Sequence, residues 1–301
     1  MTSPASPSDT PRITDLGGCR AVVTGGASGI GRGLATAMIE RGAAGVVLAD
    51  VEEAALAAAA EELAGPPAHV HADVQVHAVA TDVTDPSSVG ELAARSAELL
   101  GGVDVVCLNA GVFAGGHVWE TTQDDWDWVL GVNLRGVVNG IRSFLPGLLA
   151  DPSPSHVIVT ASIAGLVAAP TSGVYCTSKF AAVGLTESLH HDLQLVGANH
   201  IGVSLLCPAM VRTNIGEGAR NRPDRLRDAT HTDATELAAG GIRDSMARGL
   251  GPLEGAREAL DQAAAGRFYV STHPVELWER LVGNENEDRL AGRPPRFQMY
   301  E

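Results

Sequence analysis

Two residues with catalytic potential, Tyr175 and Lys179, stand four positions apart in a stretch that predicts a helix over 174–196. This spacing places both side chains on one helix face, one turn apart. A free phenol has a pKa of about 10, and a neighbouring ammonium lowers that pKa because it stabilises the phenolate. The pair could therefore act as a general acid and base at neutral pH. Surface packing would also explain such a pair when it is considered alone.

A serine, Ser162, closes a predicted strand at 157–160. In an open parallel sheet, ligands lie across the carboxyl ends of the strands. We therefore expect the Ser162 hydroxyl to emerge at this edge and to hold a substrate oxygen.

A glycine-rich turn occupies residues 24–31, which read TGGASGIG after the first predicted strand. Gly25, Gly29 and Gly31 allow the backbone to turn sharply and to approach a pyrophosphate closely. The helix that follows from Ile30 would point its N-terminal amides at that anion. An ordinary tight turn is the alternative explanation for the glycines alone.

An acidic residue, Asp50, ends the second predicted strand about 20 residues after the glycines. A carboxylate there can accept hydrogen bonds from the adenosine ribose hydroxyls, and it would repel a 2′-phosphate. No lysine or arginine lies within 25–29 or directly after Asp50. These features favour NAD over NADP, although Asp50 could also cap the next helix.

Small polar clusters follow two more predicted strands. Asp82 and Val83 end the third strand, and Asn109, Ala110 and Gly111 end the fourth. Each cluster could be a plain turn between a strand and a helix. Together they fall on the predicted cofactor edge of the sheet.

The elements that must position these residues alternate regularly between apolar strands and helices. Helices are predicted over 30–41 and 51–64, and Asp85 and Pro86 start another as its cap and first residue. Continuous apolar strands indicate a parallel sheet buried on both faces. The prediction is an α/β fold with a single doubly wound, Rossmann-like sheet and helices on both faces. The predicted strands are 21–24, 46–49, 76–81, 103–108, 157–160, 203–206 and 267–271.

The domain organisation follows from the same pattern. Residues 1–15 are polar and proline-rich, which predicts a disordered tail, and 16–301 are predicted to form one domain. Two irregular segments stand out, at 65–75 with His69 and His71, and at 210–250. Long connections of this kind are often binding loops, so we expect a substrate lid at about 210–250.

Composition excludes several classes of protein. A net charge of −15 argues against a nucleic-acid partner, which usually selects a basic surface. No apolar run is long enough to span a bilayer, and no signal peptide starts the chain, so a soluble cytoplasmic protein is expected. No cysteine or tight cluster of carboxylates accompanies the histidines, so a metal site is not expected. The four cysteines predict small buried side chains: Cys19, Cys107, Cys176 and Cys207.

In this order the motifs resemble those of the short-chain dehydrogenase/reductase family, over roughly residues 18 to 275. The resemblance implies NAD as cofactor, with NADP as the less favoured alternative. The implied cofactor-binding residues are Thr24, Gly25, Ser28, Gly29, Ile30, Gly31, Asp50, Asp82, Val83, Asn109, Ala110, Gly111, Tyr175, Lys179, Pro208, Val211 and Thr213.

The resemblance also implies a catalytic group, in which Tyr175 exchanges the proton and Ser162 orients the substrate oxygen. Lys179 would lower the pKa of Tyr175, and Asn133 would hold a water that links Lys179 to solvent. One departure is visible, because the family usually has Pro-Gly where this chain has Pro208-Ala209. An alanine there costs conformational freedom if the position needs a positive φ.

The implied activity is hydride transfer between the nicotinamide and a secondary alcohol or ketone. Five candidate wall residues suggest a hydrophobic substrate, although core packing explains them equally well: Phe113, Trp119, Leu166, Val167 and Met210. Lid arginines such as Arg212 and Arg220 are expected to be solvated. A non-redox epimerase or dehydratase, or a regulatory dinucleotide-binding protein, remains an alternative on the same scaffold.

The expected partner is a small-molecule substrate, with neither nucleic acid nor membrane. The resemblance further implies a homodimer or homotetramer, formed through the helices that carry Asn133 and Tyr175. Ala181, Ala182 and Gly184 would permit close packing there, although packing on the sheet is their alternative role.

Overall fold

A computed structural model describes residues 17–65, 74–228 and 231–297 of the chain. The predicted tail at 1–15 lies outside these residues. So does most of the irregular 65–75 segment, including His69 and His71.

Within the described residues, seven strands form one sheet in the order β3-β2-β1-β4-β5-β6-β7, and every neighbouring pair is parallel. The predicted doubly wound parallel sheet is therefore confirmed. The chain order reverses between β1 and β4, where open α/β sheets place their ligands. The strands are β1 (Arg20–Thr24), β2 (Gly45–Asp50), β3 (Gln75–Ala80), β4 (Val105–Leu108), β5 (Ser155–Thr160), β6 (Ile201–Leu206) and β7 (Tyr269–Val270).

The central strands are buried as their apolar runs predict. Val22, Val23, Val46 and Val47 are fully buried, and each such burial contributes about 1.5–3 kcal/mol. The prediction is wrong for β3, whose residues are half-buried or exposed because β2 is its only neighbour. The last predicted strand shortens to the two residues of β7.

Helices cover both faces of this sheet. The cap predicted before α3 is confirmed, since the Asp85 carboxylate accepts the backbone N–H of Ser87 and Pro86 opens the helix. The helices are α1 (Gly29–Glu40), α2 (Glu53–Ala64), α3 (Pro86–Leu100), α4 (Gln123–Leu130), α5 (Gly136–Ala150), α6 (Gly173–Leu195), α7 (Asp233–Ala247), α8 (Pro252–Ala264), α9 (Val275–Trp278) and α10 (Asn284–Leu290).

A π-helical turn at Gly131–Arg135 joins α4 directly to α5, so the chain runs as one long helix with a local widening. Trp128 and Val129 are buried on its inner side, as the sequence predicts. On α6, Ala182 is buried against the sheet, whereas Gly184 lies exposed. The four cysteines are all buried thiols, which confirms their predicted role as small core side chains.

The 210–250 segment contains two short 3-10 helices, Ile215–Asn221 and Asp224–Leu226, followed by α7. Leu226 packs into a small apolar cluster with Val112, Trp128 and Val174, on the carboxyl side of the sheet. This segment therefore lies over the ends of the strands. In the part of the chain that the structure describes, no helix combines the length and apolar character needed to cross a membrane.

Candidate active site

A cavity of about 810 Å³ runs along the carboxyl ends of the central strands, under the 210–250 segment. Its volume is typical of a small-molecule site. Every predicted site residue lines this cavity except Thr24, Gly31 and Asn133, which lie behind its wall. The carboxyl edge of the sheet thus brings together predicted site residues as far as 188 positions apart in the chain, Gly25 and Thr213.

The glycine-rich turn forms one end of the cavity. Gly25 and Gly29 have positive φ angles of 65° and 54°. A Cβ atom on Gly31 would lie 2.1 Å from the carbonyl oxygen of Gly25, so only glycine fits there. Ser28 precedes α1 but makes no side-chain cap, which leaves the first amides of the helix available to an anion. The turn therefore fits a pyrophosphate group.

Asp50 lies beside this turn at the end of β2. Its carboxylate accepts the backbone N–H groups of Ala27 and Glu52, each at 3.1 Å. The alternative role as a helix cap is wrong, because Glu52 occupies the cap position of α2. Since a carboxylate offers about four acceptor positions, Asp50 can still accept ribose hydroxyls from the cavity.

Thr24 and Asn109 hold the turn to the middle of the sheet. The Thr24 hydroxyl accepts the backbone N–H groups of Asn109 and Ala110, at 2.9 Å and 3.2 Å. In return, the Asn109 amide donates to the carbonyl oxygen of Thr24 at 3.0 Å. These bonds fix the spacing between β1 and β4 under the cavity.

Tyr175 lines the cavity from the first turn of α6, close to Ser162. Burial raises the pKa of Tyr175 to about 12, and a hydrogen bond with Ser162 acts in the opposite direction. The net shift of the Tyr175 pKa is therefore upward, opposite to the direction that the spacing to Lys179 alone predicts, because desolvation is the larger effect. The Lys179 ammonium lies 5.8 Å from the centre of the Tyr175 ring.

Lys179 is the only lysine in the chain, and its side chain is buried at the base of the cavity. Its Nζ atom donates to the carbonyl oxygen of Thr160 at 3.0 Å. Burial lowers the pKa of Lys179 to about 8, because desolvation penalises the ammonium form. The side chain can therefore hold or release a proton near neutral pH.

Asn133 lies behind this pair in the π-helical turn and is fully buried. Its Nδ2 atom donates to the Val112 carbonyl at 3.0 Å and to the Ser178 hydroxyl at 2.9 Å. A Cβ atom on Gly111 would lie 3.4 Å from Lys179 Nζ and 3.5 Å from Asn133 Oδ1. Both atoms therefore border the same small space above Gly111.

Pro208, Val211 and Thr213 complete the wall where β6 leads into the 210–250 segment. Within the described residues, Thr171 alone among the non-glycine residues has a positive φ angle. Ala209 therefore occupies its position without strain, and the absence of the family's usual glycine has no backbone cost here.

Thr171 has a φ angle of 54° in the loop that leads to Tyr175. The backbone N–H of Gly116 donates to its carbonyl at 2.8 Å, which holds the loop in place. A β-branched residue in this region is strained, by about 1–3 kcal/mol, whereas asparagine tolerates it.

Replacing Thr171 by asparagine is therefore expected to raise the free energy of unfolding by about 1 kcal/mol. The measurement is urea unfolding at neutral pH. Valine at the same position keeps the β-branch and its strain, and it serves as the control. An equal gain from Thr171→Val would contradict strain as the cause.

Two arginines of the 210–250 segment form ion pairs with the rest of the protein. The sequence did not predict their partners. Arg220 pairs with Glu52 at the start of α2. Arg222 forms a buried ion pair with Asp125 of α4, and its guanidinium lies 5.2 Å from the centre of the Trp128 ring. Arg220 is exposed to solvent, as expected, although its guanidinium also pairs with Glu52.

The predicted apolar wall is correct only in part. Phe113 and Met210 line the cavity, but Leu166 and Val167 do not, and Trp119 is 81% exposed beside His117. The residues that replace them come from the 210–250 segment, where a polar sequence gave no such signal. They are Ile215, Leu226, Ile242 and Met246.

Comparison with known proteins assigns the chain to a family. The family model for short chain dehydrogenases matches residues 20–224, and the chain belongs to this short-chain dehydrogenase/reductase family of oxidoreductases. A crystal structure of a short-chain dehydrogenase/reductase from Burkholderia phymatum in complex with NAD is 39% identical. It superimposes with a TM-score of 0.88, covering 95% of this chain and 99% of that one.

Two curated relatives are enzymes with named reactions. The 1-deoxy-11-beta-hydroxypentalenate dehydrogenase of Streptomyces avermitilis is 36% identical, and the match covers 84% of each chain. The C alpha-dehydrogenase of Sphingobium sp. is 31% identical, covering 84% of this chain and 80% of that one.

Proposed function

We propose that this protein is an NAD-dependent dehydrogenase that interconverts a hydrophobic secondary alcohol and its ketone. The observation that carries this proposal is the single cavity wall shared by Ser162, Tyr175, Lys179 and the glycine-rich turn. An NAD-bound relative and two named dehydrogenases among the similar proteins support it.

In this proposal, the turn at 24–31 and the N-terminus of α1 bind the pyrophosphate. Asp50 accepts the adenosine ribose hydroxyls, and Asp82 with Val83 borders the adenine. Thr213 and Val211 hold the carboxamide end, next to Pro208. A bound nicotinamide supplies or accepts the hydride, which no side chain of the protein can do.

Tyr175 and Ser162 act on the substrate oxygen. Ser162 orients this oxygen with its hydroxyl, and Tyr175 donates a proton to a ketone or takes one from an alcohol. Lys179 favours the phenolate by its charge and exchanges its own proton through the space above Gly111. Asn133 borders that space and would hold a water there.

The substrate end of the cavity supports an apolar ligand. Tyr175 is packed in a cluster with Phe113 and Ala238, and Ile215 and Ile242 pack against that cluster. A charged group placed against these apolar side chains would lose its hydration. Both curated relatives carry names of dehydrogenases, which agrees with an alcohol as substrate.

We expect the purified protein to bind NADH at least about tenfold more tightly than NADPH, because Asp50 repels a 2′-phosphate. Fluorescence titration of the protein with each dinucleotide measures this ratio, and Asp50→Ser should remove most of it. Glu53→Gln removes an exposed carboxylate three positions along and serves as the control. Tighter binding of NADPH would refute the role of Asp50, and binding of neither would refute the proposed function.

A further inference from the structure

The carboxylate of Glu52 holds the 210–250 segment down over one end of the cavity. Its Oε1 atom accepts Nη2 of Arg220 at 2.7 Å and the amide of Asn221 at 2.9 Å. Its Oε2 atom accepts Nε of Arg220 at 3.1 Å. The paired, charge-assisted geometry fixes the position of the guanidinium, while the partial exposure of both side chains limits the energy of the contact.

This contact stands next to Asp50, the residue proposed to bind the adenosine ribose. The Glu52 backbone donates to Asp50, and Asp50, Glu52 and Arg220 all line the same cavity wall. A group attached to the ribose 2′-oxygen at Asp50 would therefore meet Glu52 and Arg220. In related folds, a nearby arginine is the usual ligand for a 2′-phosphate.

Arg220 has a second set of contacts that does not depend on Glu52. Its Nη1 atom donates to the carbonyl oxygen of Glu217 at 2.9 Å, within its own short helix. These contacts would keep the guanidinium near its present place if the charge of Glu52 were removed. A free cation would then stand beside the ribose position.

We propose that Glu52 is a second determinant of cofactor selectivity, because it neutralises Arg220 and withholds it from a 2′-phosphate. Asp50 repels the phosphate, and Glu52 pairs with Arg220, a cation of the same cavity wall that could bind it. The same ion pair fastens the 3-10 helix Ile215–Asn221 over the adenosine end of the cavity. This inference builds on the proposed dinucleotide site.

The charges of the three residues give the direction of the effect. In the wild type, Asp50, Glu52 and Arg220 sum to −1, and in Glu52→Gln they sum to zero with the arginine released. Removing Arg220 as well returns the sum to −1. A glutamine at position 52 keeps the shape and part of the hydrogen bonding, so the variant tests charge rather than packing.

The experiment measures dissociation constants for NADH and NADPH in four proteins: wild type, Glu52→Gln, Glu53→Gln and Glu52→Gln/Arg220→Gln. We expect Glu52→Gln to shift the ratio toward NADPH by at least about tenfold, as a charge-assisted hydrogen bond to phosphate would. Glu53→Gln should change it by less than about threefold, since exposed charges at a distance are screened. The double variant should return close to the wild-type ratio.

A second measurement needs no cofactor. Amide hydrogen exchange over 215–226 should be faster in Glu52→Gln than in wild type or Glu53→Gln, because the segment has lost its charged contact. Unchanged exchange in Glu52→Gln would refute the fastening role.

The outcomes separate this inference from the proposed function. Normal NADH binding with equal shifts in Glu52→Gln and Glu53→Gln would overturn the inference alone. A shift that persists in the double variant would also overturn it, because Arg220 would then play no part. Failure of the wild type to bind either dinucleotide would overturn both.

Discussion

Tyr175→Phe is expected to lower the turnover number at least about a hundredfold, because general acid–base groups contribute roughly 10²–10⁴ to the rate. The affinity for NADH should change by less than about twofold, since the phenylalanine ring preserves the shape of the wall. The Tyr175 ring packs against Phe113, with centroids 5.2 Å apart, and that contact survives the change. The variant therefore separates proton transfer from folding and cofactor binding.

The chain offers a matched control for this experiment. Tyr269 has a pKa that burial and a hydrogen bond to Glu187 raise to about 12, like that of Tyr175. It lies on the edge strand β7, however, and does not line the cavity. Tyr269→Phe should keep the wild-type turnover number with a hydrophobic secondary alcohol and NAD. Equal turnover in Tyr175→Phe and wild type would remove Tyr175 from the mechanism.

The high pKa of Tyr175 also predicts the direction of the pH dependence. Alcohol oxidation needs the phenolate, so its rate should rise with pH, whereas ketone reduction uses the phenol, which predominates at neutral pH. A nearby ammonium at Lys179 lowers the energy of the phenolate. Burial and this charge therefore act in opposite directions on the same proton.

The sheet and the line of residues along its edge were predictable from the sequence because they depend on local patterns. Apolar runs predict strands, glycine spacing predicts a turn, and Asp85 predicts the start of a helix, each from a short segment alone. Since parallel strands bring their carboxyl ends to one edge, the sequence alone places Asp50, Asn109 and Ser162 together. The structure agrees at each of these positions.

The contacts of the 210–250 segment were not predictable in this way. Arg220 meets Glu52 across 168 positions, and Arg222 meets Asp125 across 97. The ion-pair partner of an arginine in a polar stretch cannot be predicted from local sequence, because exposed and buried arginines have the same local pattern. Trp119 shows the converse, since a large apolar residue near the site proved to be exposed.

The balance of desolvation and charge at Tyr175 was also beyond the sequence. Spacing shows that Lys179 is one turn away, but only the packing shows how completely both groups are buried. The ammonium is itself destabilised by that burial, which reduces its effect on the phenol. Burial in the same cavity wall thus disfavours the charged forms of both residues, the phenolate of Tyr175 and the ammonium of Lys179.

The burial of the Lys179 ammonium lowers the free energy of unfolding. Lys179→Met is therefore expected to stabilise the cofactor-free protein by about 2 kcal/mol at pH 7. The same change is expected to abolish turnover. The figure follows from the lowering of the Lys179 pKa from 10.5 to about 8, at 1.36 kcal/mol per unit, reduced for the lost bond to Thr160. Below pH 8 the lysine is charged in both states, so the full cost is present. Between pH 8 and 10.5 the unfolded chain binds more protons, so wild-type stability rises with pH.

The advantage of Lys179→Met should accordingly shrink as the pH rises from 8 to 9.5, which urea unfolding of both proteins at several pH values measures. Tyr175 has a pKa of about 12, so it stays protonated over this pH range and adds little to the difference. Because Lys179 is the only lysine, selective ¹³C labelling of lysine gives a single side-chain resonance whose titration reports this pKa directly. A resonance that titrates near 10.5, together with equal stabilities at pH 7, would show that the buried ammonium carries no cost and that the cavity stabilises it by some other contact.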